Sequence, residues 1–220
     1  MNIFEAIQAR DAAAAASVLT AEPAQALARD KNNVSALMTA IYYRQPQIAA
    51  LLVEKRRAQG SELDIFEAAA QGDVARLHVL LGKDKALVAS ISSDGWTALH
   101  LAAAFDGPEA VRALLQHGAQ VNARSTNPMS NMPLHAACSI SHRKEVLEPL
   151  LESGAEINAR QHGGYTPLHS AAANGNLEFI KLLLAHGADA AITCDSGETP
   201  LQVAEKQKKA DAVALLRKSA

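Results

Sequence analysis

Disulfide chemistry is nearly absent from this chain: 220 residues contain two cysteines, Cys138 and Cys194. Two thiols are too few for a disulfide framework and fit free cysteines in a reducing compartment. A basic surplus is also missing. Lys and Arg number 21 against 23 Asp and Glu, for a net charge of -2, which gives no general attraction to nucleic-acid backbones. Long apolar runs are lacking, so no segment reaches the roughly 20 residues needed to span a bilayer. The N-terminal stretch MNIFEAIQARDAAAAASVL carries Glu5, Arg10 and Asp11 where a signal peptide needs a basic start and an unbroken apolar core. A cytoplasmic monomer without membrane insertion is the expectation. HxxxH, HExxH, CxxC, GxSxG, P-loop and GxGxxG patterns do not occur, so no metal, cofactor or catalytic residue is expected. Aromatic residues are only 4% of the chain.

What the sequence has is a repeated phrase. GWTALHLAAAFDG begins at Gly95, NMPLHAACSIS at Asn131, GYTPLHSAAANGN at Gly164 and GETPLQVAEKQ at Gly197. The leucines Leu99, Leu134, Leu168 and Leu201 are spaced 35, 34 and 33 residues apart. Weaker anchors fall at Ile3, Leu37 and Ile65. Seven units result: 1–34, 35–62, 63–96, 97–130, 131–165, 166–198 and 199–220, the first two degenerate and the last a cap. Each begins at a turn signal such as Asp94-Gly95. Thr then stands where a helix N-cap is wanted, with Pro at the first helical position in Thr166-Pro167 and Thr199-Pro200. A short alanine-rich helix follows. A polar break and a second helix with an apolar stripe come next, for example Leu177, Ile180, Leu183 and Leu184. The unit closes on Gly-Ala, glycine suiting a left-handed C-cap.

The phrase G-x-T-P-L-H-x-A-A…G…LL…G-A-x-x-N resembles the ankyrin repeat. The match is fullest from Asp94 to Ala204 and rests on spacing and apolar pattern before residue 60. The resemblance implies an all-α solenoid of about seven helix-turn-helix units with short β-hairpin fingers, each unit burying its faces against its neighbours. It further implies that His100, His135 and His169 are structural. They sit at one place in three successive units, tying the threonine turn to the next unit, and Gln202 replaces them in the last. His117 and His186 precede helix-ending glycines, where a cationic side chain suits the dipole. His78 falls on a second helix, and His142 and His162 fall in loops.

Departures from the repeat pattern are the places to look for function. The finger NARSTNPMSNMPL is two residues longer than its equivalents, with a turn at Asn127-Pro128. The loop SISHRKE gains one residue. Pro149 is expected past the first turn of its helix, where it should kink it. The connection KRRAQGSELD is about six residues short and should lack a hairpin.

The resemblance places the contact surface on the concave side, made of first helices and fingers. Candidate partner-binding residues there are Tyr42, Tyr43, Trp96, Phe105, Met132 and Tyr165, aromatic residues being favoured binding anchors. Arg124 and Arg160 hold equivalent finger positions and should stack, as solvated charges or as a receptor for a carboxylate or phosphate. Cys138 reads as packed in a first helix and Cys194 as exposed in a finger. The expected function is non-catalytic recognition of a protein partner. The alternatives are a regulatory subunit or inhibitor of a partner enzyme, or a secreted effector.

Overall fold

The computed structural model describes residues 1–105, 107–141 and 143–218. Fourteen α-helices among them pair in chain order. The pairs are α1 (Ile3–Gln8) with α2 (Ala12–Ala21), α3 (Ala36–Tyr42) with α4 (Pro46–Ala58), and α5 (Ile65–Gln71) with α6 (Val74–Lys83). Next come α7 (Ala98–Ala104) with α8 (Pro108–Gln116), α9 (Pro133–Ile140) with α10 (Leu147–Glu152), α11 (Pro167–Asn174) with α12 (Leu177–Ala185), and α13 (Pro200–Lys206) with α14 (Ala210–Arg217). The odd-numbered helices stack on one another in a single row, and alanine is what permits it. Ala68, Ala69, Ala102, Ala103, Ala136, Ala137, Ala171 and Ala172 are fully buried between neighbours. Helices this short are marginal alone in water, so their stability comes from the stack.

Six of the seven first helices start at a side-chain cap, which sets the phase of the unit; α9 starts at Met132, whose backbone N–H donates to His135 Nδ1. Asn2, Ser35, Asp64, Thr97, Thr166 and Thr199 each accept from the backbone N–H three residues on. These caps correct two of the sequence anchors. With Asn2 and Asp64 as caps, Phe4 and Phe66, rather than Ile3 and Ile65, take the place of Leu99. The residues at the position of His100 are then Glu5 and Glu67, and both complete a reciprocal capping box.

The fingers are hydrogen-bonded turns rather than ladders. Isolated bridges join Arg29 to Ser35 and Ile91 to Thr97. Single backbone bonds close the others, from Ser125 N–H to Asn131 O, Gln161 N–H to Tyr165 O and Cys194 N–H to Glu198 O. Only three or five residues lie between the closing positions of each finger, too few for an extended strand pair, so the expected hairpins shrink to their closing bonds.

Two further expectations change on contact with the structure. Pro149 does not kink its helix. A 3-10 turn over Lys144–Val146 precedes it and α10 begins only at Leu147, so proline lies in the first turn, where a missing N–H costs nothing. His142, in the same loop, lies outside the described residues. Cys194 is buried in its finger at 3% exposure.

The short connection reshapes the array. The helix α4 runs on to Ala58 and only residues 59–64 link it to α5. Second helices pack closely at α2–α4, α6–α8, α8–α10 and α12–α14, and the packing loosens at α4–α6 and at α10–α12, where the 3-10 turn Lys144–Val146 meets α12 instead. The α3–α5 contact is likewise thinner than α5–α7 or α7–α9. Polar ties span this step instead. Buried Glu67 accepts from Ser35 Oγ at 2.7 Å and from Arg56 Nη1 at 2.5 Å, and Arg29 pairs with Asp64 at 3.3 Å.

Candidate protein-interaction surface

The three repeated histidines are fixed from both sides. His100 Nε2 lies 3.1 Å from Asn131 O of the following unit, His135 Nε2 3.0 Å from Ala159 O, and His169 Nε2 3.0 Å from Glu198 O. A carbonyl only accepts, so Nε2 carries the proton and Nδ1 is bare. The Thr97 and Thr166 hydroxyls stand 2.8 Å from the Nδ1 atoms of His100 and His169, with the threonine N–H groups also aimed there. Burial pushes His100 and His135 down to about 4, against the partly opposing bonds to carbonyl oxygens, and lowers His169 for the same reason. These imidazoles tie each first helix to the finger backbone that leads into the next first helix and are sealed from solvent.

The candidate aromatics divide. Tyr43 is exposed at 42%. Tyr42 and Phe105 are half-buried and meet with ring centres 5.7 Å apart. The Tyr42 hydroxyl donates to the Asp94 carboxylate. Burial first, then that carboxylate, raises the phenol far above its ordinary range. Trp96 and Tyr165 are half-buried against the histidines of their own units, at 5.8 Å from His100 and 5.5 Å from His169. Met132 requires a correction: at 4% exposure it is packed inside and offers no face to a partner. Its position is a helix cap, closed over by the stack.

The arginines are engaged as well. Arg124 donates to Ser130 O at 3.0 Å and to Arg160 O at 3.1 Å, while Arg160 pairs with Asp195 at 2.9 Å. Each guanidinium reaches forward to the next finger, so the two do not form a paired anion receptor. The long finger joins the same chain of bonds. Thr126 N–H donates to Gly95 O, Asn127 Nδ2 to Asp94 O, and His162 N–H to Met129 O. Asp195 N–H then donates to Gly163 O. Four successive fingers thereby form a continuous comb. Gly95 is required by it, since a Cβ there would lie 2.6 Å from Asn127 N, at a φ of +85°.

Where the finger of the short connection is absent, the comb has a gap. A 590 Å³ hollow occupies it, bordered by Arg29, Ser35, Tyr42, Asp64, Phe66 and Asp94. A larger groove of 920 Å³ runs along α4, with Ile41, Ala49, Val53, Arg57, Ala70 and Phe105 in its walls. The Tyr42–Phe105 contact stands between the two. Arg44 bridges further still, donating to Ile140 O at the end of α9. Sequence reasoning missed Arg44 and Asp94, whose roles depend on units that come together only in the folded array. It also missed Ile91 and Met129, exposed at 48% and 47% on two fingers. The extended finger at Asn127-Pro128 was the available signal for Met129.

Among the described residues no group of three or more His, Cys, Asp or Glu is disposed to hold a metal, and no helix is long and apolar enough to cross a membrane. Stacked helix pairs, capped first helices and projecting turns define a helical-repeat solenoid. The family model for ankyrin repeats matches residues 65–161 and 134–220, and the chain belongs to the ankyrin-repeat family. It is 34% identical over 118 residues to the mouse B-cell lymphoma 3 protein homolog, covering 54% of this chain and 26% of that protein. It is 39% identical over 110 residues to human ankyrin repeat and SOCS box protein 6, covering 47% and 26%. It is 36% identical over 101 residues to an Arabidopsis thaliana protein named putative E3 ubiquitin-protein ligase XBAT34, covering 45% and 26%. The chain thus matches about a quarter of the length of each of these relatives. Ankyrin repeats are protein–protein interaction modules, and the fold is generally non-catalytic.

Proposed function

We propose that this chain is a non-catalytic interaction module that binds a protein partner through its concave face, at the gap in the finger comb. The observation that carries the reading is the hollow between two fingers, with Tyr42 in its wall and Phe105 packed against that ring from the side of the larger groove. Ile91 borders it and is exposed, and Tyr43, the C-cap of α3, and Met129, on the long finger, are exposed as well. A preorganised surface of this kind binds with little ordering cost, and aromatic side chains supply most contact energy per residue. The chain acts as a monomer in this reading, and its two unpaired thiols suit the cytoplasm.

The test is affinity capture from the source lysate with wild type beside a Tyr43→Ala/Ile91→Ala/Phe105→Ala variant of matched helicity. A protein held by wild type and lost by the variant supports the concave site. Equal retention by both would move the interface elsewhere.

A further inference from the structure

Outside that surface, on the second-helix side, two histidines face each other across a unit boundary. His78 lies in α6 and His117 is the C-cap of α8. His78 Nδ1 and His117 Nε2 are 3.0 Å apart, with ring centres at 5.3 Å and planes inclined by 54°. Counting from the helix caps, the counterparts of His78 in α8 and α12 are Arg112 and Lys181. Among these helices the pairing of two imidazoles is therefore peculiar to this step and is not part of the repeat.

We propose that His78 and His117 form a surface site for a borderline divalent transition ion, Zn²⁺ being the probe of choice. The geometry is close to what such an ion needs. With Zn–N bonds of about 2.0–2.1 Å at a tetrahedral angle, two imidazole nitrogens sit about 3.4 Å apart and their ring centres about 5.2 Å apart. The ring centres already stand at that separation, so turning each ring by about 35° about its centre parts the facing nitrogens from 3.0 Å to about 3.4 Å and aims both at one ion. Chemistry selects the class. Two neutral imidazoles suit Zn²⁺, Cu²⁺ or Ni²⁺, whereas the lack of a carboxylate or thiolate in the pair disfavours Ca²⁺, Mg²⁺ and Cu⁺. Only one proton fits between the two facing nitrogens. On binding, that proton moves to the other ring nitrogen of the same histidine, both lone pairs then go to the metal, and no net proton is released. Water fills the remaining positions. The ion joins α6 to α8 across a unit boundary and binds the folded chain alone, so it must stabilise the array.

The test is calorimetric titration of the full chain with Zn²⁺, for wild type, His78→Ala, His117→Ala, and His186→Ala as a surface-histidine control. One equivalent should bind wild type and the control alike, with at least tenfold weaker binding in either pair variant. A Zn²⁺ concentration of a hundred times Kd should raise Tm by roughly 5–10 °C, reversed by chelator and absent from both pair variants. Circular dichroism checks that each variant is folded, and His117→Gln substitutes if His117→Ala is not. Unchanged affinity in the pair variants, or no Zn²⁺-dependent heat and Tm rise in wild type, overturns the site.

Discussion

A proton on His100 would have to enter a ring whose bare Nδ1 already faces a hydroxyl and an N–H of Thr97. The folded state refuses it, and the unfolded chain, with an ordinary histidine near 6.5, does not. The folded value is depressed, so the stability it gives is present above about pH 6.5 and lost as pH falls toward 4. For His100 and His135, each held down to about 4, the full loss is roughly 3 kcal/mol per group. Urea midpoints should therefore fall between pH 6.5 and 4, and His135→Gln should flatten the decline while lowering stability at pH 7. An unaltered pH profile in that variant would remove the assignment. Glu67 fills the same position in its unit with a charge, bound to Ser35 and Arg56. Glu67→Ala leaves the buried Arg56 uncompensated and should cost about 3–5 kcal/mol, whereas Glu67→Met with Arg56→Leu should cost much less. Chemical denaturation of the two variants distinguishes a tie from a mere filler.

At the scale of elements, caps and turns carry the argument. Gly95→Ala would force a Cβ onto the neighbouring finger at a left-handed φ. A loss of about 2 kcal/mol is expected, with faster amide exchange at Thr126 and Asn127. Pro149→Ala should change Tm by only a degree or two, because proline occupies a first turn; a large change in either direction would restore the kinked helix. The first helices from Ala98 onward were legible in sequence because a cap threonine, a first-position proline or both coincide with helical apolar spacing there. The degenerate units were legible in number but slipped in phase. Ile3 and Ile65 looked like the anchors, yet the phase is set by which oxygen caps the helix, and Asn2 and Asp64 both precede an isoleucine. Met132 was misread for a related reason: like Ser35, Thr97 and Thr166, it sits at a cap position that the stack shuts in. Contacts such as Tyr42 with Asp94 and Arg44 with Ile140 depend on curvature, which no periodicity records.

For the molecule as a whole, the missing finger is the feature with the widest reach. A linear array obeys nearest-neighbour statistics: it melts in one transition only while every coupling between units is strong enough to make a boundary between folded and unfolded blocks costly. The coupling at α3–α5 and α4–α6 is the thin one, supplied largely by Arg56, Glu67 and the Arg29–Asp64 pair. A domain wall therefore costs least there. Native-state hydrogen exchange should resolve residues 1–58 as one foldon and residues 65–218 as another, with the smaller block opening at lower free energy. High salt should weaken the exposed Arg29–Asp64 pair and widen the difference. A single shared opening energy throughout would show that the buried charges alone keep the array continuous. The gap that exposes the hollow is thus also a fault line, and a partner seated across it would weld two cooperative blocks into one.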